Sequence, residues 1–540
     1  MPVANAGKPA TPEMLTNIPQ LISKYYTTIP DASDAAVKVV FGTSGHRGSS
    51  LKGNFTERHI AAIVQAICDL RKDFGASGPL FLGMDTHALS YPAHATAVSV
   101  LAANNVQTFI AEGGAFVPTP VISRTIIRYN KGREKDLADG IVITPSHNPP
   151  ADGGIKYNCT HGGPSAEDMT KPIAALANKY LENGNKGVKM LPLADALKAP
   201  CVSEFEFMKR YIDDLESIID FAPIRKAGLR LGADALGGAG LAYWKHIAAK
   251  YGLDITVIHD NPDPTFSFMC IDHDGKIRMD CSSPYAMAGL ISMKDSFDLG
   301  FANDPDFDRH GIVCPNYGLM NPNHNLAVSI DYLFKTRTQW SKDIGIGKTL
   351  VSSMMIDKVA ASLGRRLVEV PVGFKWFVEG LDGSTIGFAG EESAGGSFLQ
   401  KNGDVWTTDK DGIIFDLLAA EITAVTGKTP AQHYADLEAK FGKAFYSRRD
   451  TKATAEQKAR VASLEPSSIG MTELAGDKII SIATKASGNN APIGGVKILC
   501  ENCWAAIRPS GTEDICKVYA ESFISQQHLE QVIDQASKLL

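Results

Sequence analysis

The chain has 540 residues, 44% apolar and 21% charged, which excludes disorder as its main state and leaves room for three or four domains with cores of their own. Lys and Arg total 54 against 60 Asp and Glu, a formal charge of -6 with a pI near 6.1, so no basic surplus points to nucleic acid. No run approaches the ~20 apolar residues of a bilayer span, and the first residues lack the charged start and apolar block of a signal peptide.

Three stretches repeat one theme of apolar strand, helix, apolar strand and polar loop. In the first, Ile60, Ile63, Val64 and Ile67 follow helical spacing from Thr56 onward. Strands are expected at 80–84 and 106–110, with a helix over 93–103 between them. The run 140–144 then enters Pro145, Ser146, His147 and Asn148 and reads as a strand buried on both faces. The second stretch has a strand at 229–236, a helix over 243–251 and a strand at 254–259, and closes on 299–314, a strand broken by an acidic loop. The third has a strand at 350–353, a helix to Leu363, and strands at 367–370 and 385–389 that lead into Gly390-Glu391-Glu392-Ser393-Ala394-Gly395-Gly396. Such alternation predicts mixed or parallel sheets with helices on their faces, and ligands bind outside the carboxyl ends of those strands.

From about Lys443 the pattern changes. A polar segment, SRRDTKATAEQKAR, reads as a linker before strands at 478–483, 496–500, 504–507 and 515–520 and a helix over 526–539. The expected organisation is three similar α/β domains (1–204, 205–316 and 317–442) followed by an α+β domain (443–540) around a central cleft. Nine cysteines, an odd number, read as reduced thiols in a cytoplasmic setting. Cys500 and Cys503 form a C-x-x-C without a second such pair, in a stretch that reads as two strands and their turn, so they are expected to be core or turn thiols.

Four motifs carry chemistry. Asp304, Asp306 and Asp308 alternate, so in an extended loop their carboxylates converge, and a hard cation such as Mg2+ relieves their repulsion. A calcium EF-hand is excluded, because its required Gly and Glu positions hold Arg309 and Pro315. Thr144-Pro145-Ser146-His147-Asn148-Pro149 exposes a serine at a strand end, either a plain turn or a nucleophile that needs a base, a metal or a resident phosphoryl group. The glycine loop with Glu391 and Ser393 suits sugar hydroxyls as well as it suits a capping turn. Arg508-Pro509-Ser510-Gly511-Thr512-Glu513, with Lys517 downstream, has the makings of a phosphate cradle, and Gly42-Thr43-Ser44-Gly45-His46-Arg47-Gly48 has similar chemistry.

Taken together and in this order, the motifs resemble those of the α-D-phosphohexomutase superfamily, and of its long bacterial, glucose-type members, from Gly42 to Tyr519. The resemblance implies that Ser146 carries a phosphoryl group and that Asp304, Asp306, Asp308 and an oxygen on Ser146 hold Mg2+. It places Arg309, His147 and Lys156 in the active site, with Lys156 the first choice and His147 the second for general acid or base. Substrate contacts are implied for Arg47, Lys410, Glu391, Ser393, Arg508, Ser510, Gly511, Thr512 and Lys517. Two positions depart from the family pattern: Lys517 stands where relatives often have Arg, and Val372 where many have Thr. The implied reaction interconverts α-D-glucose 1-phosphate and glucose 6-phosphate through a glucose 1,6-bisphosphate that turns around, with closure of the last domain excluding water. Specificity for mannose or glucosamine phosphates is the near alternative, and a Mg2+-dependent sugar-phosphate phosphatase the alternative of another class. A cytoplasmic monomer or homodimer acting on sugar phosphates, without nucleic acid or membrane, completes the expectation.

Overall fold

The computed structural model describes residues 2–42, 45–510 and 514–540. The chain divides into two compact units. One comprises the chain up to Met320 with Ala394–Gln400 and Asp404–Gly427; the other comprises Asn321–Ser393, Lys401–Gly403 and Lys428–Leu540.

The first unit is built on two mixed sheets. The larger runs His46–Gly48, Gly153–Asn158, Leu137–Ile143, Ala76–Met84, Thr108–Ala111, Val202–Phe205 in spatial order. Its centre is parallel, Leu82 opposite Ile141 and Met84 opposite Ile143, while Gly153–Asn158 turns back antiparallel. Leu80, Phe81, Leu82, Ile141, Val142 and Ile143 are all essentially fully buried, as expected of strands covered on both faces. Helix Glu57–Leu70 presents Ile60, Ile63, Val64 and Ile67 to that core, so the spacing read from the sequence marks its packed face. The smaller sheet runs Gly318–Leu319, Gly311–Cys314, Leu299–Ala302, Arg230–Asp234, Asp254–Ile258. Leu299–Ala302 and Gly311–Cys314 pair antiparallel, Ala302 opposite Gly311, so the acidic segment between them is the loop of a hairpin.

The second unit contains a parallel sheet of Leu367–Val370, Gly345–Thr349 and Ile386–Glu391 and a wholly antiparallel C-terminal sheet. The strand expected at 350–353 lies instead at Gly345–Thr349, and Leu350 follows as a turn. The reason is packing. A Cβ on Gly347 would come within 3.0 Å of the Phe377 ring, so the central strand is glycine-rich where a buried strand is usually β-branched. The segment expected as a linker also differs. Phe445–Lys452 is an edge strand paired along its length with Ile515–Ser522, and Ala455–Ala462 is a helix. An edge strand exposes alternate residues, here Arg448, Asp450 and Lys452, which is why the segment reads as solvated chain.

The C-terminal sheet buries both faces. Val496, Ile498, Ala505, Ile507 and Val518 pack with Val461, Leu529, Val532 and Ile533 of the helices. Trp504, Ala506 and Tyr519 pack with Leu350 and Val351 of the turn after Gly345–Thr349. Buried polar groups reinforce that second contact. Glu521 accepts from Ser353 Oγ (2.5 Å), Met354 N (2.6 Å) and Trp504 Nε1 (2.9 Å). Glu369 pairs with Lys497 at 2.5 Å and with the buried Lys348 at 3.5 Å.

Candidate active site

Strand Leu137–Ile143 delivers Thr144 and Ser146 at its carboxyl end. Ser146 is buried and left-handed (φ +59°), a conformation that costs a serine about 1 kcal/mol or more and persists only where neighbours impose it. Here Ser146 N–H donates to Thr144 Oγ1 (2.8 Å), whose hydroxyl donates to Asp85 Oδ2 (2.6 Å). Asp85 also accepts from Ser90 Oγ and the His87 N–H, and it pairs with His87 Nδ1 at 2.8 Å. His87 Nε2 lies 3.0 Å from Asn148 O. Burial opposes charge on His87, but Asp85 raises the imidazole above its ordinary value, and its two ring nitrogens face the Asp85 carboxylate and the Asn148 carbonyl. On the other flank Thr144 N–H donates to Gly154 O, and a Cβ on Gly154 would lie 2.1 Å from Thr144 O. Only glycine admits that approach.

Gly153–Asn158 brings Lys156 beside the loop, and His46–Gly48 adds Arg47, opposite Gly154 in register, with Nη1 donating to Asn148 Oδ1 at 3.2 Å. The hairpin loop after Leu299–Ala302 holds Asp304, Asp306 and Asp308, all buried, each offering a carboxylate oxygen within 4.8 Å of the others. Ser146 Oγ donates to Asp304 Oδ2 at 2.7 Å, joining the serine to this cluster. Phe307, also left-handed (φ +62°), lets the carboxylates turn inward while its ring is buried. Thr119 fastens Asp306 twice, N–H to its carbonyl (2.9 Å) and Oγ1 to Oδ2 (2.8 Å). Gly412 N–H donates to Phe307 O and Arg309 N–H to Asp304 Oδ1.

Cations surround the carboxylates. Lys156 Nζ reaches Asp306 Oδ2 (2.5 Å) and Asp308 Oδ2 (3.1 Å), and Lys410 Nζ reaches Asp308 Oδ2 (3.0 Å). Arg309 lies 3.7 Å from Asp280 and 3.8 Å from Asp308. Burial and the neighbouring Asp306 and Asp308 push the Asp304 carboxyl well above its usual range, whereas Lys156, Lys410 and Arg309 overcome burial at Asp308 and hold it well below. Burial works against the Lys156 ammonium, yet Asp306 and Asp308 keep it firmly charged. His147 Nδ1 lies 3.4 Å from Ser146 Oγ, and burial together with Arg309 keeps its ring neutral.

The cluster fits a hard cation. Asp306 Oδ1 and Asp308 Oδ1 are buried and have no hydrogen-bond partner among the described residues, oxygen lone pairs of the kind such an ion takes.

The remaining sequence-derived candidates lie in the second unit. Glu391 is buried, its Oε1 accepting from Gly373 N (3.0 Å), and Ser393 is half-buried. Arg508 and Lys517 face each other across Cys503–Pro509 and Ile515–Ser522, and Asp450 of the edge strand lies opposite Lys517 on its other side. Ser510 N–H donates to Ile515 O (2.9 Å) and closes the base of the loop. Gly511 and Thr512, with Glu513, lie outside the described residues, as do Thr43 and Ser44 of the first glycine motif. Asp85, His87, Thr119 and Asp280 were missed by sequence reasoning. Asp85-Thr86-His87 follows an apolar strand at its carboxyl end, a findable signal; Thr119 and Asp280 carry none.

Comparison with known proteins bears directly on this arrangement. Models of the phosphoglucomutase/phosphomannomutase family match all four parts of the chain: α/β/α domain I at residues 38–184, domain II at 209–318, domain III at 321–441 and the C-terminal domain at 448–539. A phosphoglucomutase of Komagataeibacter xylinus is 56% identical over 531 residues, covering 98% of this chain and 96% of its own. Phosphoglucomutase 1 of Drosophila melanogaster is 27% identical, covering 92% of each chain. Among solved structures, parafusin from Paramecium, a phosphoprotein described as a phosphoglucomutase, superposes with a TM-score of 0.74 at 22% identity over 94% of this chain and 95% of its own. A family protein from Burkholderia thailandensis superposes with a TM-score of 0.70 at 17% identity, over 92% and 96%. With all four domain models matched in order along nearly the whole chain, the protein belongs to the phosphoglucomutase/phosphomannomutase family of the α-D-phosphohexomutase superfamily.

Proposed function

We propose that the protein is a phosphoglucomutase that interconverts α-D-glucose 1-phosphate and glucose 6-phosphate by way of a phosphoserine at Ser146 and a glucose 1,6-bisphosphate intermediate. The observation that carries this reading is the 56% identity, over nearly the full length, to a bacterial phosphoglucomutase. The joining of Ser146 Oγ to the Asp304 cluster supports the serine's role. Phosphoryl transfer asks a protein for positioning and charge neutralisation more than for covalent help. Ser146 is the group that gives its phosphoryl to the free sugar hydroxyl and regains one from the opposite end of the bisphosphate. Asp304, Asp306, Asp308 and the serine phosphate would hold Mg2+, which would supply Lewis-acid charge there.

Arg309, Lys156 and Arg47 surround that group with positive charge. Lys156, held as an ammonium, acts as a proton donor; His147, neutral and beside Oγ, is the ring able to take a proton. Lys410, which meets Asp308, orients the cluster as well as any substrate it contacts. Glu391 and Ser393 bind sugar hydroxyls, and Arg508, Ser510, Gly511, Thr512 and Lys517 hold the phosphate that is not reacting. All nine cysteines are free thiols, which suits the cytoplasmic setting proposed for the enzyme, and we take it to act as a monomer or homodimer.

The test is a coupled assay with glucose 1-phosphate, Mg2+ and a trace of glucose 1,6-bisphosphate, reading glucose 6-phosphate. The intact chain is expected to turn over and Ser146→Ala to lose at least about a thousandfold. Mannose 1-phosphate and glucosamine 1-phosphate in place of glucose 1-phosphate test specificity. Faster turnover of either overturns the glucose assignment, and an unaffected Ser146→Ala overturns the phosphoserine.

A further inference from the structure

One motif is not absorbed by this chemistry. Cys500 ends strand Pro492–Cys500 and Cys503 begins strand Cys503–Pro509, and the register that pairs Leu499 with Trp504 places the two cysteines opposite each other across the turn Glu501-Asn502. Both are essentially fully buried free thiols. Distance in sequence hid their third neighbour. Asp477, at the start of the adjacent strand Asp477–Lys485, accepts from the Asn502 N–H at 2.8 Å, which aims its carboxylate at the cysteine turn. One oxygen of Asp477 and the two sulfurs lie within 4.8 Å of one another. Among the described residues no Lys, Arg or His pairs with Asp477.

We propose that Asp477, Cys500 and Cys503 form a binding site for a thiophilic divalent cation of the zinc class, in addition to the all-oxygen cluster of Asp304, Asp306 and Asp308. Two sulfurs and one oxygen are a donor set that zinc accepts and magnesium does not. Tetrahedral coordination at a sulfur distance of about 2.3 Å puts two thiolates about 3.8 Å apart, inside the 4.8 Å that bounds the present cluster. Asp477 is only half-buried, so solvent can supply the remaining ligand and give the ion a way in. The charges balance: each thiol sends its proton to solvent, the two thiolates offset the dication, and the cluster keeps the single negative charge that Asp477 already carries. Occupancy ties two hairpin turns of the C-terminal sheet together at the opposite end of the strand that carries Arg508.

The reduced full-length protein, in excess Mg2+, is titrated with Cd2+ while the ultraviolet thiolate-to-metal charge-transfer band is followed, and its melting point is read with and without Zn2+. The wild type is expected to show the band saturating at a single equivalent and a zinc-dependent rise in melting point. Both are expected to vanish in Cys500→Ala and Cys503→Ala, each also made as Ser, with retained turnover of glucose 1-phosphate certifying the fold. Asp477→Asn is expected to keep the band but bind more weakly, by at least the roughly tenfold to hundredfold loss that outer-shell changes cause. A wild type without the band, a band unaltered by either cysteine change, or a purified chain carrying a Cys500–Cys503 disulfide would overturn the proposal.

Discussion

Thr144→Val isolates the geometry that holds Ser146, because valine keeps the shape of threonine and removes only the hydroxyl. That hydroxyl accepts from Ser146 N–H at 2.8 Å and donates to Asp85 Oδ2 at 2.6 Å. Losing the acceptor strands a buried N–H, at about 1–3 kcal/mol, and losing a hydrogen bond to a carboxylate costs about 1.5–3 kcal/mol. Asp85 keeps Ser90 and His87, so the combined penalty falls near 3–4 kcal/mol, within those same ranges. Part of it is relieved when Ser146 leaves its left-handed conformation, and that relief is where activity is lost, since a displacement of about 1 Å at a reacting group costs on the order of a hundredfold. Three readouts separate the effects: urea unfolding for stability, steady-state kinetics for kcat, and intact mass for phosphate on Ser146. The expected result is a kcat lower by about tenfold to a hundredfold with a smaller change in KM. A variant with kcat within about threefold of wild type and stability within about 1 kcal/mol would refute the claim that this chain of hydrogen bonds sets the serine.

Three further outcomes follow from the same geometry. Thr119→Val removes the hydroxyl that fastens Asp306 Oδ2 and is expected to weaken divalent-ion binding by about tenfold to a hundredfold, measured as the Mg2+ dependence of turnover after chelation. His87 has a raised value in the folded state, so its contribution to stability is complete below about pH 6.5 and is lost as pH rises through that raised value. Wild-type melting points are therefore expected to fall as pH rises above about 6.5, and His87→Gln to flatten that slope. Glu521→Ala strands the buried donors of Ser353, Met354 and Trp504 and is expected to cost about 3–5 kcal/mol in denaturant unfolding. A loss under about 1 kcal/mol would show that the C-terminal sheet is not fastened to the third sheet's turn through this carboxylate.

The sequence made legible what depends on local spacing. Ile60, Ile63, Val64 and Ile67 announced a packed helix face, and the alternate aspartates announced a carboxylate cluster, because each pattern is a property of a few consecutive residues. Strand Gly345–Thr349 was illegible because its packing requires glycine, the residue that strand propensity counts against it. Phe445–Lys452 was illegible because an edge strand with one wet face has the composition of a linker. Thr119 and Asp280 reach the site only through long-range contact, and nothing in their neighbours marks them. The Asp477–Cys500–Cys503 cluster shows the same limit from the other side. A C-x-x-C is judged by whether another ligand exists, and the ligand is distant in sequence but adjacent in the sheet.

The charges of the serine site explain why its parts belong together. Asp280, Asp304, Asp306, Asp308 and Asp409 lie with Arg47, Lys156, Arg309 and Lys410 in one buried region, close to electrical balance. A divalent cation alone would upset that balance, and so would a phosphate dianion on Ser146 alone. Added together they cancel, and each also supplies what the other lacks, an oxygen ligand for the ion and a counter-charge for the phosphate. Lys156 spans Asp306 and Asp308 and offsets part of the repulsion among the three buried carboxylates, which drives Asp304 toward its protonated form. Lys156, which would give up Asp306 and Asp308 to a bound divalent ion, would then be free to face the transferring group.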